Sequence, residues 1–226
     1  MEAFTTLTGT VAPLLRDNID TDAIIPAGIF KLIGTDMSRI GEGLFMDLGQ
    51  SPDGQERRDF VLNDARFRSA NILLSGKNFG CGSSREHAVW ALLGGGIRCV
   101  VAESFADIFY ANCFRKGLLP IIPEADDYAR LLDAAINAPD GLTASVDLAA
   151  GTFTWEQAGS LAVSSPEDAF SFAVEADQKE VLLQGLDEVG ASLQYEQDVA
   201  AFQTKDRQAR PWVYDVNFHQ IPETKI

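Results

Sequence analysis

The 226-residue sequence predicts one α/β domain in three layers, with a parallel βαβαβ centre and antiparallel strands added to it. In the middle of the chain, short apolar runs alternate with helical patterns: strands are predicted at 71–76, 97–104 and 118–123, and helices at 84–95 and 105–117. This alternation is typical of parallel strands joined by crossover helices. The segment 143–156 then gives two strand patterns joined by a glycine turn, which predicts antiparallel pairing.

The part of the chain before this centre begins with a strand. A run rich in Thr, Val and Leu predicts it at 4–15, and a loop rich in Asp, Asn and Thr follows at 17–28. Residues 29–56 alternate glycines with scattered apolar residues, which indicates an exposed, mobile loop with short helical turns.

The part of the chain after the centre is mostly helical. A helix is predicted at 124–139, where a proline ends it. A last helical region runs from about 175 to 203, with a break at the GLDEVG segment. We therefore predict a single domain at 1–204 and a polar C-terminal tail at 205–226.

The charge and composition of the chain exclude several classes of partner. The formal net charge of -15 disfavours the basic surface that nucleic acids and anionic membranes require. No apolar run is long enough to span a bilayer, and the first residues lack a basic segment followed by an apolar one, so we expect a cytoplasmic protein. An anion site in such an acidic chain needs local cations and backbone donors. The position of each arginine therefore indicates where an anion could bind.

Three cysteines and two histidines limit the metal and redox chemistry. Cys81, Cys99 and Cys113 are odd in number and lack CxxC spacing, which fits a reducing compartment better than a disulfide framework. With only His87 and His219 besides, the sequence disfavours a zinc site. Cys99 lies in an apolar strand and Cys113 in an apolar helix, so both are predicted to be small buried residues, while the role of Cys81 stays open.

The stretch NFGCGSSREHA, residues 78–88, carries the clearest indication of a site. Ser83 and Glu86 have the Ser-x-x-Glu spacing of a capping box, which predicts that they satisfy free backbone donors at a helix start. Gly80 and Gly82, however, allow a tight turn and the close approach of a ligand. The helix N-terminus would then offer N–H groups and a positive dipole end to a carboxylate or phosphate. Both interpretations stand at this point.

Arg85 and the two serines favour the anion site. A cation in the first helical turn interacts unfavourably with the helix dipole, at a cost of roughly 0.3–1 kcal/mol. Arg85 is therefore unfavourable at this position unless it binds an anion such as a carboxylate. Ser83 or Ser84 stays free when the other caps the helix, and that hydroxyl could take part in proton transfer. No GxSxG elbow is present, which argues against a hydrolase, and a Cys81–His87 nucleophile is the weaker alternative.

Four motifs resemble a known family in the same order. The stretch at 78–88, with NIDTDAIIPA at 18–27, SFADIFYANCFRKGLLPI at 104–121 and GLDEVGASLQ at 185–194, closely resembles the small subunits of bacterial 3-isopropylmalate dehydratase. These subunits are similar to the last, swivelling domain of aconitase, so the resemblance implies a swivelling β/β/α domain. It also implies a hydro-lyase that interconverts 2-isopropylmalate and 3-isopropylmalate through isopropylmaleate in leucine biosynthesis.

The resemblance also implies a partner and the location of the cofactor. In that family the small subunit works only with a large subunit, whose three cysteines hold a 4Fe-4S cluster. No metal or cofactor is therefore expected in this chain, and its substrate is expected to be a small dicarboxylic hydroxy acid. In the family mechanism, the cluster iron with an open coordination position acts as a Lewis acid on the departing hydroxyl. A serine alkoxide takes the proton from the neighbouring carbon.

The family's functional residues fall on the stretch at 78–88. The serine that acts as the base falls on Ser83, and Ser84 and Arg85 fall on residues that hold a substrate carboxylate. Backbone amides at the turn around Gly82 would stabilise the alkoxide together with Arg85. Glu86 is expected to support the site.

Residues outside this stretch carry two interpretations each. Asp22 falls where the family keeps an acidic residue near the site, and a turn or cap in an Asp-rich loop is the alternative. Ile29 and Phe30 lie where related enzymes choose the substrate's side group, and they could equally pack the loop onto the core. Arg39 could approach the substrate or stay solvated. Within the stretch at 78–88, His87 is predicted to be structural.

Two departures from the family leave the exact substrate open. The segment 177–188 lacks the basic and cysteine-bearing pattern expected before GLD, and the loop 34–43 is not a clean copy. One alternative is the small subunit of a related hydro-lyase acting on 2-methylmalate, dimethylmalate or a homoaconitate-like acid. Another is a non-enzymatic module that binds a dicarboxylate. A charged residue reaching the site from 29–41 would favour a polar substrate, since an isopropyl group needs no polar partner.

Overall fold

The strands of this protein form one mixed sheet in a computed structural model, which describes residues 1–33, 36–83, 85–157 and 168–214. The chain divides into two compact units, Met1–Asp187 and Glu188–Ile226, and the sheet lies in the first. The seven strands are β1 (Thr6–Leu14), β2 (Ile72–Ser75), β3 (Cys99–Ala102), β4 (Leu119–Ile121), β5 (Leu142–Asp147), β6 (Thr152–Gln157) and β7 (Ala169–Ser171). Their order across the sheet is β4-β3-β2-β1-β5-β6-β7.

The two halves of the sheet differ in strand direction. β1, β2, β3 and β4 pair in parallel, and Leu73 of β2 lies between Ala12 and Val100 in the register. β5 pairs antiparallel with β1, and β6 and β7 continue in the same way. The predicted α/β class, with a parallel centre and antiparallel additions, is confirmed. All seven strands belong to one continuous sheet. The strand β7 was not predicted from the sequence.

Helices lie where the crossover pattern predicts them. The helices of the described residues are α1 (Thr21–Ile24), α2 (Ile29–Ile33), α3 (Met46–Gly49), α4 (Glu86–Gly94), α5 (Asp107–Lys116), α6 (Ala125–Asn137), α7 (Ala176–Gln184), α8 (Glu188–Leu193) and α9 (Glu196–Ala209). Short 3-10 helices occur at Met37–Gly43, Val61–Asn63 and Pro211–Val213. None of these helices combines the length and apolarity needed to cross a membrane. The predicted limits at 1–204 and 205–226 remain a prediction, and α9 runs across residue 204.

The sheet carries a core on each face because successive strand residues point to opposite sides. On one face, Leu73 belongs to a cluster that includes Leu92 of α4. On the other, Ile72 and Leu74 belong to a cluster that includes Leu131 of α6. All five side chains are fully buried, so both faces hold the strands rigidly in place.

The segment 29–56 forms short helical turns, as predicted, but it is not the exposed loop that the sequence indicated. Ile29, Ile33, Ile40 and Phe45 are at most 4% exposed and belong to the cluster that also contains α4. A Cβ on Gly41 would lie 2.3 Å from the Gly94 carbonyl carbon, so this segment packs directly on the end of α4. Each short turn contributes only one or two residues to the core, which leaves no long periodic pattern in the sequence.

Candidate active site

The loop after β2 is held against the segment that follows β1. The Gly80 amide donates to the Ile19 carbonyl at 2.7 Å, and the Thr21 amide donates to the Cys81 carbonyl at 2.9 Å. The Asn78 side chain adds a hydrogen bond to the Asn18 side chain at 2.8 Å. Two motifs that are far apart in the sequence, at 18–27 and 78–88, therefore lie side by side.

The same loop contacts the start of α5. The Phe79 amide donates to the Ser104 carbonyl at 3.0 Å, and the Ala106 amide donates to the Phe79 carbonyl at 2.9 Å. Gly80 has a φ of 77°, and a Cβ there would lie 2.1 Å from Cγ of Phe109. Glycine alone fits this position. Three motifs thus meet beyond the carboxyl ends of β1, β2 and β3, the edge at which open α/β sheets bind ligands.

The capping box predicted for Ser83 and Glu86 is not formed, so that prediction is wrong. α4 begins at Glu86, with Arg85 at its N-cap and no side-chain cap. Gly82 has a φ of 91° and turns the chain just before the helix, which places Ser83 outside it. The Ser83 carbonyl accepts a hydrogen bond from Thr21 Oγ1 at 3.1 Å. The Ser83 side chain is exposed, and its hydroxyl makes no hydrogen bond to the residues that the structure describes.

Arg85 is held by an acidic residue from the first motif. Its Nη1 donates to the Asp22 carboxylate, and the arginine side chain is 31% exposed. The cap of α1 belongs to Asp20, whose side chain accepts from the Ala23 amide at 2.7 Å, so Asp22 does not have the cap role that was its alternative. Because Asp22 holds one nitrogen of the guanidinium, the others can bind a carboxylate.

A pocket of about 220 Å³ lies where the three motifs meet. The two loops contribute Thr21, Gly80, Gly82, Ser83 and Arg85 to its lining, and the start of α5 contributes Ala106, Asp107, Ile108, Phe109 and Asn112. Ile108 and Asn112 are one helical turn apart, so they lie on the same face of α5. None of these α5 residues was predicted from the sequence to belong to the site, although helical spacing within the motif at 104–121 was a signal for them.

The comparisons with known proteins decide the family. The model of the aconitase C-terminal domain matches residues 1–125. The 3-isopropylmalate dehydratase small subunit of Jannaschia sp. is 47% identical over 213 residues, which cover 94% of this chain and 100% of the relative. The chain belongs to the family of 3-isopropylmalate dehydratase small subunits.

Two further relatives agree with this assignment. The 3-isopropylmalate dehydratase small subunit of Paramagnetospirillum magneticum is 46% identical, over 94% of this chain and 100% of its own. A crystal structure of 3-isopropylmalate dehydratase from Methanocaldococcus jannaschii is 26% identical with a TM-score of 0.56, and the match covers 89% of this chain and 99% of that chain. The resemblance to this hydro-lyase family and to the aconitase domain is confirmed.

Three of the residues predicted to bind the substrate of this small subunit, Ile29, Phe30 and Arg39, do not line the pocket. Ile29 is 1% exposed and packs in the core, which is the second of its two interpretations. The Phe30 ring lies edge-on to His87, with 5.0 Å between ring centroids. Arg39 donates to both oxygens of Glu42, at 2.6 and 2.7 Å. Ser84 lies outside the described residues.

The positions of Arg39 and Glu86 each have a clear physical reason. Arg39 belongs to the 3-10 helix Met37–Gly43, which packs on the C-terminal end of α4, whereas the pocket lies at its N-terminal end. Glu86, predicted to support the site, lies 3.2 Å from Lys116 Nζ and so links α4 to α5. Glu86 therefore positions the two helices that border the pocket.

The cysteines do not fit an iron–sulfur cluster. Cys99 and Cys113 are fully buried, as predicted, and burial raises the pKa of both thiols, which disfavours the thiolate that a cluster requires. Cys81 is half-buried and lies in the loop that borders the pocket. In the described part of the chain, no three His, Cys, Asp or Glu side chains form a group that could hold a metal ion.

Alkylation is expected to distinguish the three thiols. Brief treatment of the folded chain with iodoacetamide in mildly alkaline buffer should modify Cys81, which is half-buried, and leave the buried Cys99 and Cys113 intact. Unfolding in urea before treatment should make all three reactive. Peptide mass spectrometry measures the modified fraction, and modification of Cys113 as fast as Cys81 in the folded chain would contradict the burial described here.

Proposed function

We propose that this chain acts as the small subunit of a hydro-lyase that interconverts 2-isopropylmalate and 3-isopropylmalate through isopropylmaleate in leucine biosynthesis. It works in the cytoplasm with a large subunit that carries a 4Fe-4S cluster. The observation that carries the proposal is the pairing in one pocket of Ser83, whose hydroxyl is unbonded within the described residues, with Arg85. The other half of the site comes from the large subunit.

Ser83 acts as the base in this mechanism. Its Oγ takes the proton from the carbon next to the one that bears the hydroxyl, and the C–H electron pair forms the double bond as the C–O bond breaks. The proton and the hydroxyl together make up the water that is lost. When bound to the large subunit, the cluster supplies a Lewis acid for the departing hydroxyl. The positive guanidinium of Arg85 stabilises the serine alkoxide.

Arg85 also binds a substrate carboxylate in this proposal. The chain has a net charge of -15, so a dianionic substrate needs a local cation to enter the pocket. Among the pocket-lining residues that the structure describes, Arg85 is the one basic side chain. Its ion pair with Asp22 fixes the guanidinium before the substrate arrives, which lowers the entropy lost on binding.

The substrate's side group contacts Ile108. This side chain is 58% exposed, lines the pocket and stands beside Ala106 and Phe109, so it offers apolar surface. Asp107 is the neighbouring charged residue in the lining, and its carboxylate disfavours the third carboxylate of a homoaconitate-like acid. The described pocket therefore favours an isopropyl group, with Ile108 in the role first predicted for Ile29 and Phe30.

Shortening Ile108 is expected to change substrate preference. In Ile108→Ala, the ratio of kcat/KM for 3-isopropylmalate to that for 2-methylmalate should fall about 10-fold, because the larger side group loses more apolar contact. Ile136→Ala is the matched control, since Ile136 is 59% exposed on α6 and does not line the pocket. An unchanged ratio in Ile108→Ala would show that the side group lies elsewhere.

Anaerobic reconstitution tests the proposed function as a whole. This chain is mixed with a cluster-loaded large subunit, and the absorbance of isopropylmaleate is followed after addition of 3-isopropylmalate. We expect turnover by the mixture and none by either subunit alone. Preferred turnover of 2-methylmalate would assign the chain to the related hydro-lyase, and dicarboxylate binding without any turnover would assign it to a non-enzymatic module.

A further inference from the structure

Asn112 is a buried polar residue whose side chain has no partner in the described part of the chain. The buried polar residues there are Thr21, Ser75 and Asn112, which are 1%, 0% and 5% exposed. The Thr21 hydroxyl donates to the Ser83 carbonyl, and the Ser75 hydroxyl donates to the Arg16 carbonyl. The Asn112 carboxamide makes no hydrogen bond to the described residues, and the described polar atoms that are sealed off without a partner belong to Asn71, Arg98 and Gln178. The polar atoms of Asn112 therefore stay accessible from the pocket that this residue lines.

The position of Asn112 in its helix makes this more unusual. It lies in the interior of α5, where asparagine is a poor helix former and has no cap or turn to serve. It also lines the pocket that contains Ser83 and Arg85. A residue that is unfavourable for its helix and that lines a pocket is a candidate for a functional role.

We propose that Asn112 is a further substrate-binding residue, whose Nδ2 group donates a hydrogen bond to a substrate carboxylate in this pocket. The inference rests on the proposed function, because it takes the isopropylmalate dianion as the ligand. Arg85 binds one carboxylate, and the pocket residues described here include no second basic side chain for the other. The carboxamide supplies the missing donor, since a carboxylate offers acceptors only.

The neutral amide suits this position for two reasons. An arginine or lysine buried at this depth would need its own ion-pair partner, whereas an unpaired amide is far less costly to bury. An aspartate would repel the substrate, as Asp107 at the rim repels an additional carboxylate. Asparagine therefore provides two N–H donors without a net charge.

The test compares Asn112→Leu with the wild type in the reconstituted complex. Leucine has a similar size and no polar atoms, so it removes the hydrogen bond and keeps the packing. We expect kcat/KM for 3-isopropylmalate to fall about 10- to 100-fold, mostly through KM, as for a lost hydrogen bond to a charged group. We expect the unfolding midpoint of the free chain to stay the same or rise, because the amide has no partner in the free chain.

Two more variants keep the inference falsifiable if Asn112→Leu folds poorly. Asn112→Asp preserves the shape but replaces the donor by an acceptor, and it should raise KM at least as much. Tyr110→Phe removes a polar group from the same helix outside the pocket, and it should leave KM unchanged. A wild-type KM in Asn112→Asp would overturn the inference, as would a lower unfolding midpoint of Asn112→Leu together with a wild-type KM.

The outcome also separates this inference from the proposed function. An active wild-type complex whose Asn112 variants all keep the wild-type KM overturns the role of Asn112 alone. A wild-type complex that does not turn over 3-isopropylmalate overturns both.

Discussion

Replacing Ser83 by alanine is expected to lower kcat of the reconstituted complex about 1,000-fold while the stability of the chain stays unchanged. The loss in kcat follows because a positioned base contributes typically 10²- to 10⁴-fold. The unchanged stability follows because the Ser83 side chain is exposed and its hydroxyl makes no hydrogen bond within the described residues. If Ser83 were a helix cap instead, the free energy of unfolding would fall by roughly 0.5–2 kcal/mol.

Two measurements on one preparation separate these possibilities. Isopropylmaleate formation gives kcat, and urea unfolding of the free chain gives the free energy of unfolding. Ser69→Ala is the control, since Ser69 is an exposed serine outside the pocket. A Ser83→Ala complex with full activity would remove Ser83 from the role of base.

Replacing Gly80 by alanine is expected to destabilise the chain by about 2–5 kcal/mol. A left-handed backbone conformation costs roughly 1–2 kcal/mol for a residue with a Cβ, and forcing a methyl group into a packed core adds typically 1–3 kcal/mol. Gly80 has a φ of 77°, and its Cβ would lie 2.1 Å from Cγ of Phe109. Phe109 cannot move away, because it is 2% exposed and packed against Phe79 and Phe105.

The same substitution should also lower activity. Gly80 joins the loop that carries Ser83 to the start of α5, so a displaced loop moves the base away from the rest of the pocket. Gly28→Ala is the matched control, because a Cβ on Gly28 meets nothing within 4 Å and its φ lies outside the left-handed region. Urea unfolding measures the effect, and equal stabilities of Gly80→Ala and Gly28→Ala would contradict the packing described for the loop.

The parts of the fold that the sequence predicted correctly have a strong local pattern. The strand predicted at 97–104 contains the continuous apolar run Cys99–Ala102, which is buried on both faces. The helix at 124–139 shows helical spacing, because Tyr128, Leu131 and Ala135 face the sheet while the residues between them are mostly exposed. Local chemistry determines such elements, so a single sequence reveals them.

The parts that were missed depend on contacts that local patterns do not contain. The spacing of Ser83 and Glu86 fits a capping box, yet the left-handed turn at Gly82 places the helix start beyond Ser83. The Asp22–Arg85 pair joins two motifs whose contact arises only from the parallel pairing of β1 and β2.

Apolar and polar residues of a site are equally hard to identify from sequence. Ile29 lies in the core and Ile108 is exposed at the pocket, and nothing in their neighbouring residues distinguishes the two isoleucines. Asn112 is an isolated asparagine in a helix, so its importance becomes visible only when burial and missing hydrogen bonds are known.

The structure of the reconstituted complex with 3-isopropylmalate bound, prepared without oxygen, tests the central claim most directly. We expect one substrate carboxylate on Arg85, with Asp22 still on the same guanidinium. We also expect Ser83 Oγ within reach of the carbon that loses the proton. A substrate bound with Ser83 and Arg85 both facing solvent would contradict the proposed roles of these residues and move the chemistry to the large subunit.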